Sequence, residues 1–354
     1  MDNQDSKPVR RVRYKGTYPK TFQEKYKELQ PDKYTEDIEK VMQKGKTPAG
    51  MHRSICVDEI IEFLQIKSGQ IGLDATLGYG GHSLEMLKCL DGSGQLFATD
   101  VDPIELPKTK ERLAALGFKE PLFNPRQINF SEVDTLAEES GKLNFVLADL
   151  GVSSMQIDNP ARGFSLKVDG PLDLRLNPQS GISAAQLLKK IKLETLYELL
   201  VSNADEVYAE PIALAIIAAQ KNGLVIKTTG ELRNIIQEAL AFLPKSERVE
   251  AVKKACTRCF QALRIEVNNE FLVLNTFLEK LPYVLAPHAR VAILSFHSGE
   301  DRRVKKAFQA LHRAGVFERV APDPIRPTST EIFNNPRARS AKLRWAIMGE
   351  NSYD

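Results

Sequence analysis

The sequence predicts an α/β fold in which a mainly parallel sheet is interrupted by a block of helices. Three observations carry this. From residue 51 to about 150, short apolar runs alternate with helical patterns; a loop-rich stretch and a run of purely helical periodicity follow; and the α/β pattern returns near residue 260. Strands alternating with helices build βαβ units, so the economical reading is one α/β domain carrying an all-α insertion.

The elements follow in order. VDEIIEFLQI (57–66) has helical spacing, QIGLDAT (70–76) is a short buried strand, GYGGHS (78–83) a glycine-rich turn and SLEMLKCL (83–90) a helix. QLFATD (95–100) and ELPKTKERLAAL (105–116) form the next strand and helix, and PRQINF (125–130) a third strand with a helix near 131–139. NFVLAD (144–149) is a strongly apolar fourth strand closed by Asp149. Residues 151–180 read as loop. AAQLLKKI, LETLYELLV, AEPIALAIIAAQ, TGELRNIIQEAL and ERVEAVKKAC, between 183 and 255, all have helical period. A long helix near 260–282, a strand at 290–296, a helix at 300–311 and a strand at 342–348 complete the chain. Residues 1–50 are polar, with a helix only at about 35–44, and predict a basic N-terminal extension.

With 354 residues, 42% of them hydrophobic and 27% charged, the chain can bury a substantial core and is neither fibrous nor broadly disordered. A net charge of +3 excludes a histone-like polycation, but the sum conceals +4 over residues 1–50, +5 over 286–354 and −6 between them. Cys56, Cys89, Cys256 and Cys259 are too few for a disulfide scaffold at this length. No secretory h-region and no membrane-length apolar run is present. The expectation is a cytoplasmic protein with free thiols and no membrane partner. A single C-x-x-C, Cys256 to Cys259, without a second ligand pair is weak for zinc, and no metal is expected.

Candidate functional residues gather where strands end. Gly78, Gly80 and Gly81 open the first strand–helix turn, where backbone N–H groups can approach a ligand; a tight turn needing positive φ would use the same residues. Asp100 follows strand two by the spacing of a ribose-binding acid, and Asp102 is placed to cap the next helix. Together, turn and acid point to an adenosine-type cofactor. Asp149 closes the fourth strand, on the edge where open α/β sheets bind ligands. The loop 162–177 brings Arg162, Asp173 and Arg175 beside two glycines, and a long loop after such an edge is usually functional. Gln261, Arg264 and Asn268 can share a helix face, and His297 ends another strand. Arg337, Arg339, Lys342 and Arg344 form a cationic stretch without a local acid, read as a solvated loop or as a phosphate-backbone contact.

Taken together, DATLGYGGHS, the D-x-DP after strand two, DLGVSS-x-Q-x-D, RGFS, DGPLD-x-R, FQALRI-x-VN, SFHS-x-EDR-x-VK and NPRARSAKLR resemble the bacterial 16S rRNA cytosine-N4 methyltransferases, the MraW family, in order over about residues 51–348. The resemblance implies a Rossmann-like S-adenosylmethionine-dependent methyltransferase sheet (51–160 and 260–354) with an inserted all-α, RNA-recognising domain (161–259). It implies cofactor contacts from Gly80, Gly81, His82, Asp100, Phe130, Asp149 and Gln156. The expected reaction is in-line methyl transfer to the exocyclic N4 of a cytosine, that of the decoding site, with Asp149 or backbone carbonyls in 150–154 placed to polarise the amine. The expected partner is 16S rRNA or the small ribosomal subunit, with a homodimer left open. Arg162, Asp173, Arg175, Arg264, His297, Arg337 and Arg339 are the expected substrate contacts. The sequence departs from the family pattern at Arg53-Ser54, where the opening proline is missing, at Asn177, in Ser202–Glu206 and at Gly299, and it lacks the HPA before FQALR. Most departures lie where RNA would be recognised. They leave open a paralogue with another RNA site, or an RNA-binding assembly factor that keeps the cofactor pocket. A nicotinamide dehydrogenase is disfavoured because Ser83 stands where the third fingerprint glycine would be.

Overall fold

A computed structural model describes residues 54–350; the expected N-terminal extension lies outside the described residues. The sheet has seven strands in the order β3-β2-β1-β4-β5-β7-β6. They are β1 (Ile71–Asp74), β2 (Gln95–Thr99), β3 (Phe123–Arg126), β4 (Leu143–Asp149), β5 (Leu285–Ser295), β6 (Phe317–Val320) and β7 (Lys342–Met348). The β3-β2-β1-β4-β5 run is parallel, and β7 runs antiparallel to both β5 and β6. Strand order reverses between β1 and β4, which places the switch-point crevice at the carboxyl ends of those two strands.

Alternation along the strands decides which helices cover which face. Leu73, Phe97, Val146, Ala148, Val291 and Ile293 point to one side, into a core shared with helices α4 (Val133–Ser140), α11 (Glu270–Val284) and α12 (Ser298–Arg313). Leu96, Ala98, Phe145, Leu147, Ala292 and Leu294 point to the other, against α1 (Val57–Leu64), α2 (Gly81–Leu90) and α3 (Glu105–Ala115). A sheet covered on both faces explains why its central strands read as continuous apolar runs.

The third core belongs to the inserted helices α6 (Ala184–Lys190), α7 (Leu193–Ala204), α8 (Ala209–Lys221), α9 (Thr229–Ala239) and the first part of α10 (Lys245–Val267). Ser183 and Thr228 start α6 and α9 with capping boxes closed by Gln186 and Glu231. Three sequence expectations are corrected here. No helix starts at 260: α10 runs unbroken through the expected 259/260 boundary and ends where Asn269 turns left-handed at φ 51°. Phe260, Ala262 and Leu263 therefore pack in the helical core. The loop 151–180 is not free either. It holds the short helix α5 (Ser154–Asp158) and a 3-10 turn, Pro160–Arg162, and buries Leu172 and Leu174 in the helical core. The strand expected at 125–130 ends at Arg126, because Asn129 caps a 3-10 turn that starts at Phe130. Strand β6 and helix α13 (Ser329–Asn334) were not anticipated.

Candidate methyl-transfer site

Three strand tips that meet at the switch point each carry an aspartate. Asp74 ends β1, Asp149 ends β4, and Asp100 lies one residue beyond β2. The glycine turn between β1 and α2 shapes the floor. Gly78 and Gly80 take φ of 49° and 76°, and a Cβ on Gly80 would come within 2.8 Å of the Thr109 methyl carbon. The Gly78 N–H donates to Asp100 Oδ2 at 2.8 Å, and Asp102 N–H donates to Oδ1 at 2.9 Å. These bonds orient the Asp100 carboxylate, and each oxygen keeps a second lone pair for a ligand hydroxyl. Burial pushes the Asp100 carboxyl up to about 6.

Asp149 is held by its backbone, whose N–H donates to Thr76 Oγ1 at 2.6 Å. Its Oδ2 faces His82 Nδ1 at 3.6 Å, while its Oδ1 is enclosed without a hydrogen-bond partner among the described residues. Burial, reinforced by Asp74 and Glu300, pushes this carboxyl up to about 6, against the pull of His82. His82 Nε2 lies 2.9 Å from the Ile55 carbonyl oxygen. A carbonyl only accepts, so Nε2 carries a hydrogen and Nδ1 is left facing Asp149. Asp74, raised by burial, accepts from Ser83 Oγ at 2.6 Å and holds the turn shut. Asp74, Thr76 and the Ile55 carbonyl were missed in the sequence. The signal for Asp74 was present, since the strand IGLD ends in an acid as its two neighbours do.

These groups fit the cofactor that the resemblance implies. The open positive-φ turn, the Asp100 carboxylate and the unsatisfied Asp149 oxygen offer acceptors and space to a ligand bearing hydroxyls, an amine and a cationic sulfur.

The remaining expected residues divide sharply. Gln156 turns inward: its Nε2 donates to Asp102 Oδ2 at 2.8 Å and its Oε1 accepts from Ser153 N–H at 2.9 Å. Arg162 is buried too, with NH1 on Asp102 Oδ2 at 2.7 Å and NH2 on the Leu176 carbonyl at 2.7 Å. Ile104, not Asp102, is the N-cap of α3; Asp102 Oδ1 accepts from the Ile104 N–H at 2.9 Å and the Glu105 N–H at 3.3 Å, and its other oxygen anchors the loop after β4. Arg175 grips Asp173 with two bonds of 2.6 and 2.8 Å, and Arg264 grips Glu270 at 2.7 and 2.8 Å. His297 caps α12 and meets Glu300 Oε1 at 3.1 Å. Burial would raise the Glu300 carboxyl, yet His297 and Arg264 hold it below the usual range. Phe130 packs edge-on against Phe277, centroids 5.2 Å apart. Cys256 and Cys259 lie in the helical core, where burial pushes the Cys256 thiol up to about 11 and the Cys259 thiol well above its usual value.

Most of the cationic stretch at 337–344 is partnered as well. Its acids come from distant sequence. Arg337 pairs with Asp158 at 2.7 Å, and Lys342 and Arg344 share Asp301 at 2.7 and 2.6 Å. Only Arg339 of the four is exposed without an ion-pair partner among the described residues. At Gly299 a Cβ would come within 2.6 Å of the Phe271 ring, over which the Arg303 guanidinium stacks at 3.4 Å. The aromatic–cation pair takes the space that a leucine would need.

The strand order, the glycine turn and the three tip aspartates define the class: a Rossmann-like S-adenosylmethionine-dependent methyltransferase. Within that class the chain belongs to the MraW methylase family, whose model matches residues 49–348. It is 62% identical to ribosomal RNA small subunit methyltransferase H 2 of Alkaliphilus metalliredigens, over 98% of this chain and 99% of that one. It is 61% identical to ribosomal RNA small subunit methyltransferase H 1 of Lachnoclostridium phytofermentans, over 98% and 94%. A solved SAM-dependent O-methyltransferase from Thermotoga maritima aligns at TM-score 0.39 and 11% identity over 84% of this chain and 66% of that one, too remote to carry any argument. Among the described residues no helix is long and apolar enough to cross a membrane.

Proposed function

We propose that this protein methylates the exocyclic N4 of a cytosine in small-subunit ribosomal RNA, the decoding-site cytosine being the first target to test. Membership of the methylase family and the relatives' names support the rRNA part of this reading. The observation that carries the N4 chemistry is Asp149, an enclosed carboxylate with one oxygen unused at the switch-point crevice.

Bound S-adenosylmethionine supplies an electrophilic methyl group on a sulfonium. The protein's part is to make a poor nucleophile attack it. The cytosine amine is delocalised into its ring, and an N–H bond to Asp149 Oδ1 draws the lone pair back onto nitrogen and aims it. Asp149 Oδ1 would take the amine proton as the N–CH3 bond forms and the S–CH3 bond breaks, the electrons of the broken bond staying on sulfur. His82, when its Nδ1 also carries a hydrogen, faces Oδ2 with a positive charge and favours the charged carboxylate. Positioning and exclusion of water provide most of the remaining rate. The target base must be unstacked, which a single-stranded loop makes cheap.

The test is incubation of the purified protein with labelled S-adenosylmethionine and small subunits from a strain lacking the enzyme, followed by nucleoside mass spectrometry. N4-methylcytidine is the expected product. A methylated nucleoside of another kind, or none, overturns the reading. The numbered names of the two relatives favour one second reading, a paralogue with another RNA site. Mapping the methylated position separates the two.

A further inference from the structure

Three of the four cations of 337–344 are engaged in ion pairs, yet residues 286–354 carry an excess of +5. Much of that charge lies on α12, which has five Lys and Arg residues against two acids. Both acids are turned inward and engaged, Glu300 by His297 and Asp301 by Lys342 and Arg344. The outer face carries no acid. Arg302, Lys305, Lys306 and Arg313 are exposed, with Gln309 between them. At about 100° per residue these five fall within one third of the helix circumference, opposite the buried Val304 and Phe308. Lys305, Lys306 and Arg313 have no ion-pair partner among the described residues; Arg302 meets Asp205, the C-cap of α7, at 3.2 Å.

The stripe has a direction. Its helix begins four positions after Leu294, which pairs in register with Asp149, and four residues span at most about 14 Å. Through Asp205 its first turn also touches the inserted helices. From there it runs about 16 Å along the axis, a length over which one strand in duplex geometry presents on the order of five phosphates.

We propose that the outer face of α12 is the track along which the phosphate backbone of the substrate RNA lies as it leaves the methyl-transfer site. This rests on the reading that the substrate is RNA. Arg302 anchors the near end, and Lys305, Lys306 and Arg313 neutralise successive phosphates.

The test uses the full-length protein carrying K305E, K306E and R313E together. Its binding to small subunits lacking the methyl group is measured over a series of KCl concentrations. The expected result is a fall of about two in the slope of log affinity against log salt. At low salt, affinity falls more than tenfold and KM rises, with kcat kept within twofold. A control with the same net charge, K67E, K110E and K119E on exposed surfaces outside the inserted helices, keeps the wild-type slope. Equal slopes for the stripe variant and wild type overturn the proposal, as does an equal loss in the control, which would mean net charge alone matters. Thermal melting and S-adenosylmethionine affinity unchanged in both variants exclude misfolding as the cause. If the wild type neither binds nor methylates small subunits, the reading of function fails instead, which is a distinct outcome.

Discussion

The aspartates at the strand tips and the arginines around them were equally prominent in the sequence, and the fold treats them in opposite ways. Asp100 and Asp149 sit in an enclosed edge with raised carboxyl pKa values and lone pairs to spare. Arg162, Arg175, Arg264 and Arg337 are each locked to a carboxylate at 2.6–2.8 Å. The acids are poised for a ligand, whereas those arginines brace the frame that holds it. Charge that can be read in a sequence is not charge available to a partner. The structure decides which is which by whether an opposite charge arrives from elsewhere in the chain.

The sharpest way to break the contrast is Asp149→Asn. It should lower kcat at least 1,000-fold, roughly 4 kcal/mol of barrier, in a methylation assay. Yet it should not weaken the fold. A carboxyl raised from 3.8 to about 6 binds its proton more tightly when folded, so it loses stability as pH climbs through that window. At pH 8 the neutral amide should match or exceed wild type by ~1–3 kcal/mol in denaturant unfolding, and the difference should vanish near pH 3. A destabilised Asn variant would show that Asp149 braces the fold as the arginines do. Arg162→Met tests the other side. Leaving Asp102 buried and unpaired should cost about 3–5 kcal/mol in denaturant unfolding, with activity lost only as the fold is lost.

His82→Phe should act more gently. His82 pulls the Asp149 carboxyl down, so its removal moves the acid limb of the kcat–pH profile to higher pH, while Asp149 remains able to take the proton. An unmoved limb would uncouple the two residues. The smallest effect belongs to Arg339→Gln, expected to stay within about 0.5 kcal/mol of wild-type stability and to reduce the salt slope of RNA binding by less than one. Arg344→Gln, by contrast, leaves Asp301 with Lys342 alone and should cost about 1.5–3 kcal/mol of stability.

Much of this site was legible because period and position alone fix it. The apolar run ending in Asp149 could only be a buried strand, and its acid had to lie on the carboxyl edge. The glycine turn and Asp100 followed from spacing. What could not be read was pairing across the chain. Arg337 and Asp158 are separated by 179 positions, and Arg344 and Asp301 by 43. Nothing local marks the carboxylate as the destination of the guanidinium. The helix break at Asn269 was hidden for a different reason. The apolar spacing continues through it, so only the left-handed backbone reveals where α10 stops.

Asp102 joins two jobs in one side chain. One oxygen fixes the start of α3 behind the cofactor acid, and the other grips Gln156 and Arg162 in the loop that follows β4. Any ligand that shifts that loop therefore pulls on the same carboxylate that steadies the Asp100 wall. Thermodynamic reciprocity then makes the coupling mutual: whatever RNA does to S-adenosylmethionine affinity through this residue, the cofactor does to RNA affinity by the same factor.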